Sequence, residues 1–314
     1  MLEAGFIGSR FLHFMAVLSL LGTAFFPLYT FRGRLQSFSA DQPRLVNQIR
    51  WTLIASVLLA FLSAVSWFAF TAGAMAGDMS QVTDPEIMSA MMQATDFGPL
   101  WVARFAVLFF IALLLIRWPL RPAQWLVPML AAVLLASLAG TGHARATQGL
   151  AGVLHMASDA AHLVAAGIWL GGLWPLGYMI AATRNARGDP NRQLAMGDVL
   201  TRFSGVGTIT VAVLVASGLV NSWFLVGSPM ALLSSPYGWL LSAKIALFLL
   251  MALLATANRF WLTPKISAFP TSQEWLARLR LHVFGEQALG LFVIGLVSVL
   301  GTLEPAISQS GAAQ

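Results

Sequence analysis

Two histidines and an aspartate share one stripe of an otherwise apolar segment. They are His155, Asp159 and His162, in the run HMASDAAHLVAAGIWLGGL over residues 155–173. Spacings of four and then three residues put all three on one side of a helix. An ionisable side chain inside a bilayer costs about 3 kcal/mol on insertion scales, so it carries a partner or a task. A helical rise of about 1.5 Å per residue separates His155 from His162 by roughly 10 Å, too far for one ion to bind both directly. Three roles are open to the stripe. Asp159 can accept an imidazole N–H and fix its tautomer. His155 and Asp159, at i and i+4, can ligate one ion. The three can also be successive stations for an ion or a proton. A fourth reading is structural, a buried polar network that only holds helices together.

Other potential ligands accompany the stripe. His13 lies in the first apolar run and His143 in GTGHARATQG. Met88, Met91 and Met92, at i, i+3 and i+4 in an acidic loop, share a helical face. Thioether sulfur suits Cu(I), and imidazole suits Cu(II) as well. Methionines also fill gaps in short interfacial helices. Haem b is the alternative cofactor, because axial imidazoles from two helices can hold it, with His13 facing His155 or His162. The chain has no cysteine, which excludes thiolate metal sites, iron–sulfur clusters, disulfides and covalently attached c-type haem.

The elements that position these residues follow from composition. The 314 residues are 58% hydrophobic and 10% charged, with a mean hydropathy of +0.77. Soluble domains carry about 25% charged residues. Apolar runs of about 20 residues without polar alternation predict a polytopic transmembrane helical bundle, all-α, rather than a barrel. One integral membrane domain is expected over 1–314, with eight spans near 6–30, 51–76, 99–117, 123–141, 150–180, 204–226, 238–260 and 283–303. The N-terminus lacks a basic n-region and a small-residue cleavage site, so the first run is expected to be a retained span.

Loop charge alternates along these spans. Arg32, Arg34, Arg44 and Arg50 follow the first, and Asp78, Asp84, Glu86 and Asp96 the second. Arg117 and Arg121, then a lone Arg145, then Arg184, Arg187, Arg192 and Arg202 continue the pattern. The 227–237 loop has no charge, and Lys265, Arg278 and Arg280 close the series. This bias puts both termini outside the cytoplasm and accounts for the net charge of +6 without a nucleic-acid partner. His13, His143, His155 and His162 then fall in or near the outer half. Glu286 and His282 are the ionisable groups toward the cytoplasm. Arg104 is expected to snorkel at the outer surface. Lys244 is expected in the outer half, with a partner that the sequence does not name. Trp51, Trp101, Trp118, Trp125, Trp174, Trp223, Trp239 and Trp261 lie near span ends and read as interfacial anchors. Gly167 and Gly171 read as a close helix contact.

The segment LHMASDAAHLVAAGIWLGGLWPL resembles the central motif of the CopD copper-resistance family. RFSGVGTITVAVLVASGLVNSWFLVGS, YGWLLSAKIALFLLMALLATANRFWLTPKI and EQALGLFVIGLVSVLGTLEP resemble the rest of that domain, most densely over 140–305. W-x-GG, G-x-L-L-x-x-K and NR-x-x-L-x-P occur in that order. The resemblance implies a bacterial inner-membrane protein of copper homeostasis that moves copper from periplasm to cytoplasm with a periplasmic CopC-type partner. It marks Trp169, Gly171, Gly172, Lys244, Asn258, Arg259 and Pro264 as motif positions, without roles. No ATP-binding loop is present, so transport would use a gradient or partner exchange. The enzymatic alternative is a haem-dependent reductase that converts Cu(II) to Cu(I).

Overall fold

The computed structural model describes residues 2–31, 42–93, 95, 97–142, 148–185, 190–269 and 272–311. No strand occurs among them. The main helices are α1 (Leu2–Thr30), α2 (Pro43–Ala76), the short α3 (Pro85–Gln93), α4 (Phe97–Ile116), α5 (Arg121–Ser137), α6 (Gly149–Asn185), α7 (Pro190–Val226), α8 (Pro236–Ala257) and α9 (Gln273–Leu300). Among the described residues, eight helical segments are long and apolar enough to cross a membrane, which bears out the expected spans.

Several helices outrun their apolar stretches on the Arg-bearing side. The second starts at Pro43 rather than near 51, and keeps Arg44 and Arg50 helical. Hydropathy marks only the hydrocarbon crossing, while backbone hydrogen bonding continues into the headgroup region. Pro43 suits the first turn because its missing N–H would be unpaired there anyway. Gly77, at φ 75°, closes α2 in the left-handed conformation.

The first helix forms the centre of the bundle. Of its most apolar window 67% is buried, against 11% for the seventh span. Val17, Leu20, Leu21 and Ala24 pack among Leu53 and Ala60 of α2, Leu108 of α4, Leu134 of α5 and Leu173 of α6. The α1–α6 contact is backbone to backbone. A Cβ added at Gly171 would lie 2.0 Å from the Leu18 carbonyl oxygen, and one at Gly22 would lie 2.3 Å from the Gly171 backbone. The Gly167/Gly171 pair therefore serves close packing, as its spacing suggests.

Trp51, Trp125, Trp223, Trp239 and Trp261 are exposed, as anchors should be. Trp101 and Trp118 are not: they are buried at 0% and 3% exposure. Trp101 turns inward because its ring packs on His13 and Arg104.

The seventh span changes pitch at its end. Asn258–Leu262 form a π-helical turn, in which the Thr263 amide reaches back to the Asn258 carbonyl. Pro264 has no N–H for the Phe260 carbonyl, and its ring crowds that turn, so the helix widens before Thr263–Ala268 resume α geometry.

Candidate functional site: two polar stripes and a buried carboxylate

The stripe on α6 meets a matching stripe on α7. His162 Nδ1 lies 2.9 Å from Ser217 Oγ, and Asn221 Nδ2 donates to Asp159 Oδ1 at 3.3 Å. The His155 ring stacks on Phe224 with centroids 4.6 Å apart and planes 13° apart. Ser217, Asn221 and Phe224 repeat the same four-and-three spacing in antiparallel register. Ser158 Oγ adds a bond to the Ser217 carbonyl at 3.2 Å. None of the α7 partners was singled out from sequence, although their spacing was a usable signal.

The Ser217 hydroxyl fixes the His162 tautomer. Its single hydrogen goes to the Val213 carbonyl at 2.6 Å, so Oγ accepts from His162 Nδ1–H. Nε2 is left as a bare lone pair. Lys244, on α8, interacts electrostatically with both Asp159 and His162. That supplies the partner missing at the sequence level. An ammonium beside Asp159 cancels much of the carboxylate's pull on a metal cation. Asp159 is thus held by Asn221, with Lys244 acting on it only through its field, and the group that orients His162 is Ser217.

His13 repeats the same logic on the other side of α1. Its Nδ1 lies 3.1 Å from both the Ala60 carbonyl and Ser63 Oγ. A carbonyl only accepts, and the Ser63 hydroxyl donates to Leu59 at 2.6 Å, so Nδ1 carries the hydrogen. Nε2 is buried without a partner. Trp67 and Trp101 close on the ring edge-on, with centroids 5.6 and 5.5 Å away. Arg104 does not snorkel. It is 1% exposed, and it binds Ser137 Oγ at 2.9 Å, the Ser137 carbonyl at 2.6 Å and Thr141 Oγ1 at 3.3 Å. A cation there complements the partial negative charge at the end of α5.

The haem arrangement does not fit these placements. His13 is held by α2 and α4, whereas His155 and His162 face α7. The neighbours of His13 and of the α6 histidines thus come from different helices, and nothing among the described residues pairs the rings as two axial ligands would be paired. Among the described residues, no group of three His, Asp or Glu side chains converges as a metal site. His143 lies outside the described residues.

A third cluster sits deeper. Glu286 of α9 is 2% exposed. Asn258 Nδ2 donates to its Oε1 at 2.7 Å, and the Trp169 indole N–H lies near enough to act on the same carboxyl. Asn258 Oδ1 lies 2.8 Å from His282 Nδ1. Arg259 Nη1 turns to α7 instead, and donates to the Ser204 carbonyl at 2.9 Å and to the Thr208 hydroxyl. Trp169, Asn258, Arg259 and Glu286 line one cavity of about 280 Å³.

Residues 1–153 match the family described as copper resistance protein D-like, N-terminal domain, and residues 197–300 match copper resistance protein D. The chain is 33% identical over 310 residues to Copper resistance protein D of Pseudomonas syringae pv. tomato, covering 95% of this chain and 96% of that protein. This chain belongs to the copper resistance protein D family. It is also 29% identical over 311 residues to Inner membrane protein YebZ of Escherichia coli (strain K12), covering 97% and 100% of the two chains. Copper transport protein CutJ of Bacillus subtilis (strain 168) is 28% identical over 273 residues, which is 84% of this chain and 48% of that protein. No solved structure matches.

Each motif position of this copper resistance protein D family chain has a physical place. Gly171 admits α1, and Gly172 lies against Phe203 and Tyr29. Lys244 offsets Asp159, and Pro264 sets the π turn that presents Asn258 and Arg259 to different helices. The methionines of the acidic loop differ in exposure. Met91 is fully buried, Met88 is half-buried and Met92 is exposed at 37%. Nearby, the Ser80 hydroxyl and amide hold the exposed Asp78 carboxyl below the usual carboxylate range.

Proposed function

We propose that this chain is a multi-pass inner-membrane protein that carries copper from the periplasm toward the cytoplasm. The observation that carries this reading is the pair of imidazoles at His13 and His162. Each commits Nδ1–H to a serine hydroxyl, and His13 also to a carbonyl, leaving Nε2 as the lone pair a metal takes. A ligating histidine is oriented in this way, by a hydrogen bond from its other ring nitrogen. The family membership supplies the metal, and the relatives named for copper resistance and copper transport support it.

Copper is the cargo in this reading. Loop charge supports periplasmic termini, which place His13, His143, His155 and His162 in the outer half. The bonds of Asn221 to Asp159 and of His162 to Ser217 keep the stripe on α6 in register with α7. The exposed acidic loop with Met92 faces the side from which a CopC-type copper-binding protein would deliver the ion. The test is copper entry into right-side-out membrane vesicles containing the chain. Wild type accumulates copper, and His162→Ala loses most of that uptake. Uptake by His162→Ala equal to wild type would remove the imidazole from the path, and net export would reverse the direction.

A further inference from the structure

The cavity bounded by α6, α7, the π turn and α9 has two charged residues in its described lining, Glu286 and Arg259. Arg259 is committed to Ser204 and Thr208 of α7. Arg259 therefore does not pair with Glu286. What approaches its carboxylate is N–H groups, from Asn258 on the π turn and Trp169 on α6. A metal cation would have to displace these donors, whereas a proton needs one lone pair. The other group in this network with a ring proton to exchange is His282, one turn before Glu286 on α9 and partly exposed.

Asn258 bonds at both ends, and that makes it a reporter of protonation. An ionised carboxylate only accepts, so the amide turns its NH2 to Glu286 and its oxygen to His282. His282 must then carry hydrogen on Nδ1. A protonated Glu286 has an O–H to donate. With the amide rotated by half a turn, its oxygen accepts from Glu286 and its NH2 faces His282, whose Nδ1 must be bare. The heavy-atom positions suit both states.

We propose that Glu286, Asn258 and His282 form a proton-exchange site. Uptake of one proton by Glu286 from the cavity is tied to release of one from His282 Nδ1 at the other end of the amide. Before exchange, Glu286 is a carboxylate and His282 a neutral imidazole with hydrogen on Nδ1. Afterwards, Glu286 is a carboxylic acid and His282 a neutral imidazole with hydrogen on Nε2. An O–H bond forms at Glu286, the Nδ1–H bond of His282 breaks as its Nε2–H bond forms, and the site takes up one proton in all, so acid drives the change. Such a site gives the membrane domain a step that a proton gradient can drive. Its link to copper rests on the reading above; the exchange itself does not.

The test uses the full chain in nanodiscs, with nitrogen-15 in its histidines, titrated with acid and base. Two signals are followed on the same samples. One is the carboxylic C=O infrared band, assigned by its loss in Glu286→Gln. The other is the His282 Nδ1–H resonance, assigned by its loss in His282→Gln. In wild type the band grows as the resonance fades, with one shared midpoint. In Asn258→Leu the two midpoints separate by about 1 pH unit, because coupled groups titrate as a unit only while they interact. A wild-type His282 Nδ1–H resonance that persists while the Glu286 band grows overturns the proposal. The wild-type titration decides even if Asn258→Leu fails to fold. Copper uptake that continues while the two signals titrate independently would end this proposal and leave the copper reading standing.

Discussion

Gly171→Ala tests the packing that sets the whole site. The new Cβ would start 2.0 Å from the Leu18 carbonyl oxygen, and ordinary contact begins at 3.4 Å. Helices α1 and α6 must therefore part by about 1.4 Å. The obstacle is backbone, with Gly22 also 2.9 Å away, so no side chain can rotate clear. Overpacking of this kind costs up to about 3 kcal/mol. Alanine recovers about 1 kcal/mol of helix propensity over glycine, which leaves a net loss of about 2 kcal/mol. The control is Gly295→Ala on α9, which has no atom within 4 Å of the added carbon. That variant should gain up to about 1 kcal/mol. Denaturation in mild detergent, followed by the fluorescence of the 11 tryptophans, should rank Gly171→Ala about 3 kcal/mol below Gly295→Ala. Equal stability of the two variants would refute the backbone contact.

Three further outcomes follow from the site. Ser217→Ala removes the acceptor of His162 Nδ1–H and should weaken Cu(I) binding about 10-fold or more in competition with a chromophoric chelator; Ser217→Thr should retain it. Lys244→Met removes the cation whose field acts on Asp159 and should cost about 1 kcal/mol, part of which returns when Asp159→Asn is added; additive losses in that cycle would contradict the coupling. Met91→Ala should cost about 3 kcal/mol as a cavity in the core, while Met92→Ala should stay within about 0.5 kcal/mol of wild type in thermal unfolding, so any copper defect in Met92→Ala reports ligation.

The spans were legible because a bilayer dictates their length and apolarity, and Gly167 and Gly171 announced their contact by spacing. Helix ends were less legible. Arg44, Arg50 and Arg202 remain helical outside the hydrocarbon, where hydropathy carries no signal. The stripe of His155, Asp159 and His162 was visible, but its partners were not, since Ser217 and Asn221 are unremarkable residues until two helices are laid antiparallel. Lys244 and Asp159 are brought together by the fold, and no local pattern joins them. Arg104 and Trp101 misled because both types usually mark the interface, whereas here they close around His13. Glu286, Asn258 and His282 stood out singly. Their connection depends on a π turn, whose only advance sign was Pro264 behind an NR pair.

The central claim is that copper binds bare imidazole Nε2 atoms in the outer half of the bundle. X-ray absorption at the copper edge, on the Cu(I)-loaded chain in nanodiscs, tests it most directly. The account predicts imidazole nitrogen scattering that is diminished in His162→Ala and diminished again when His13→Ala is added. A copper spectrum unchanged by both substitutions, or one with sulfur ligands alone, would contradict it.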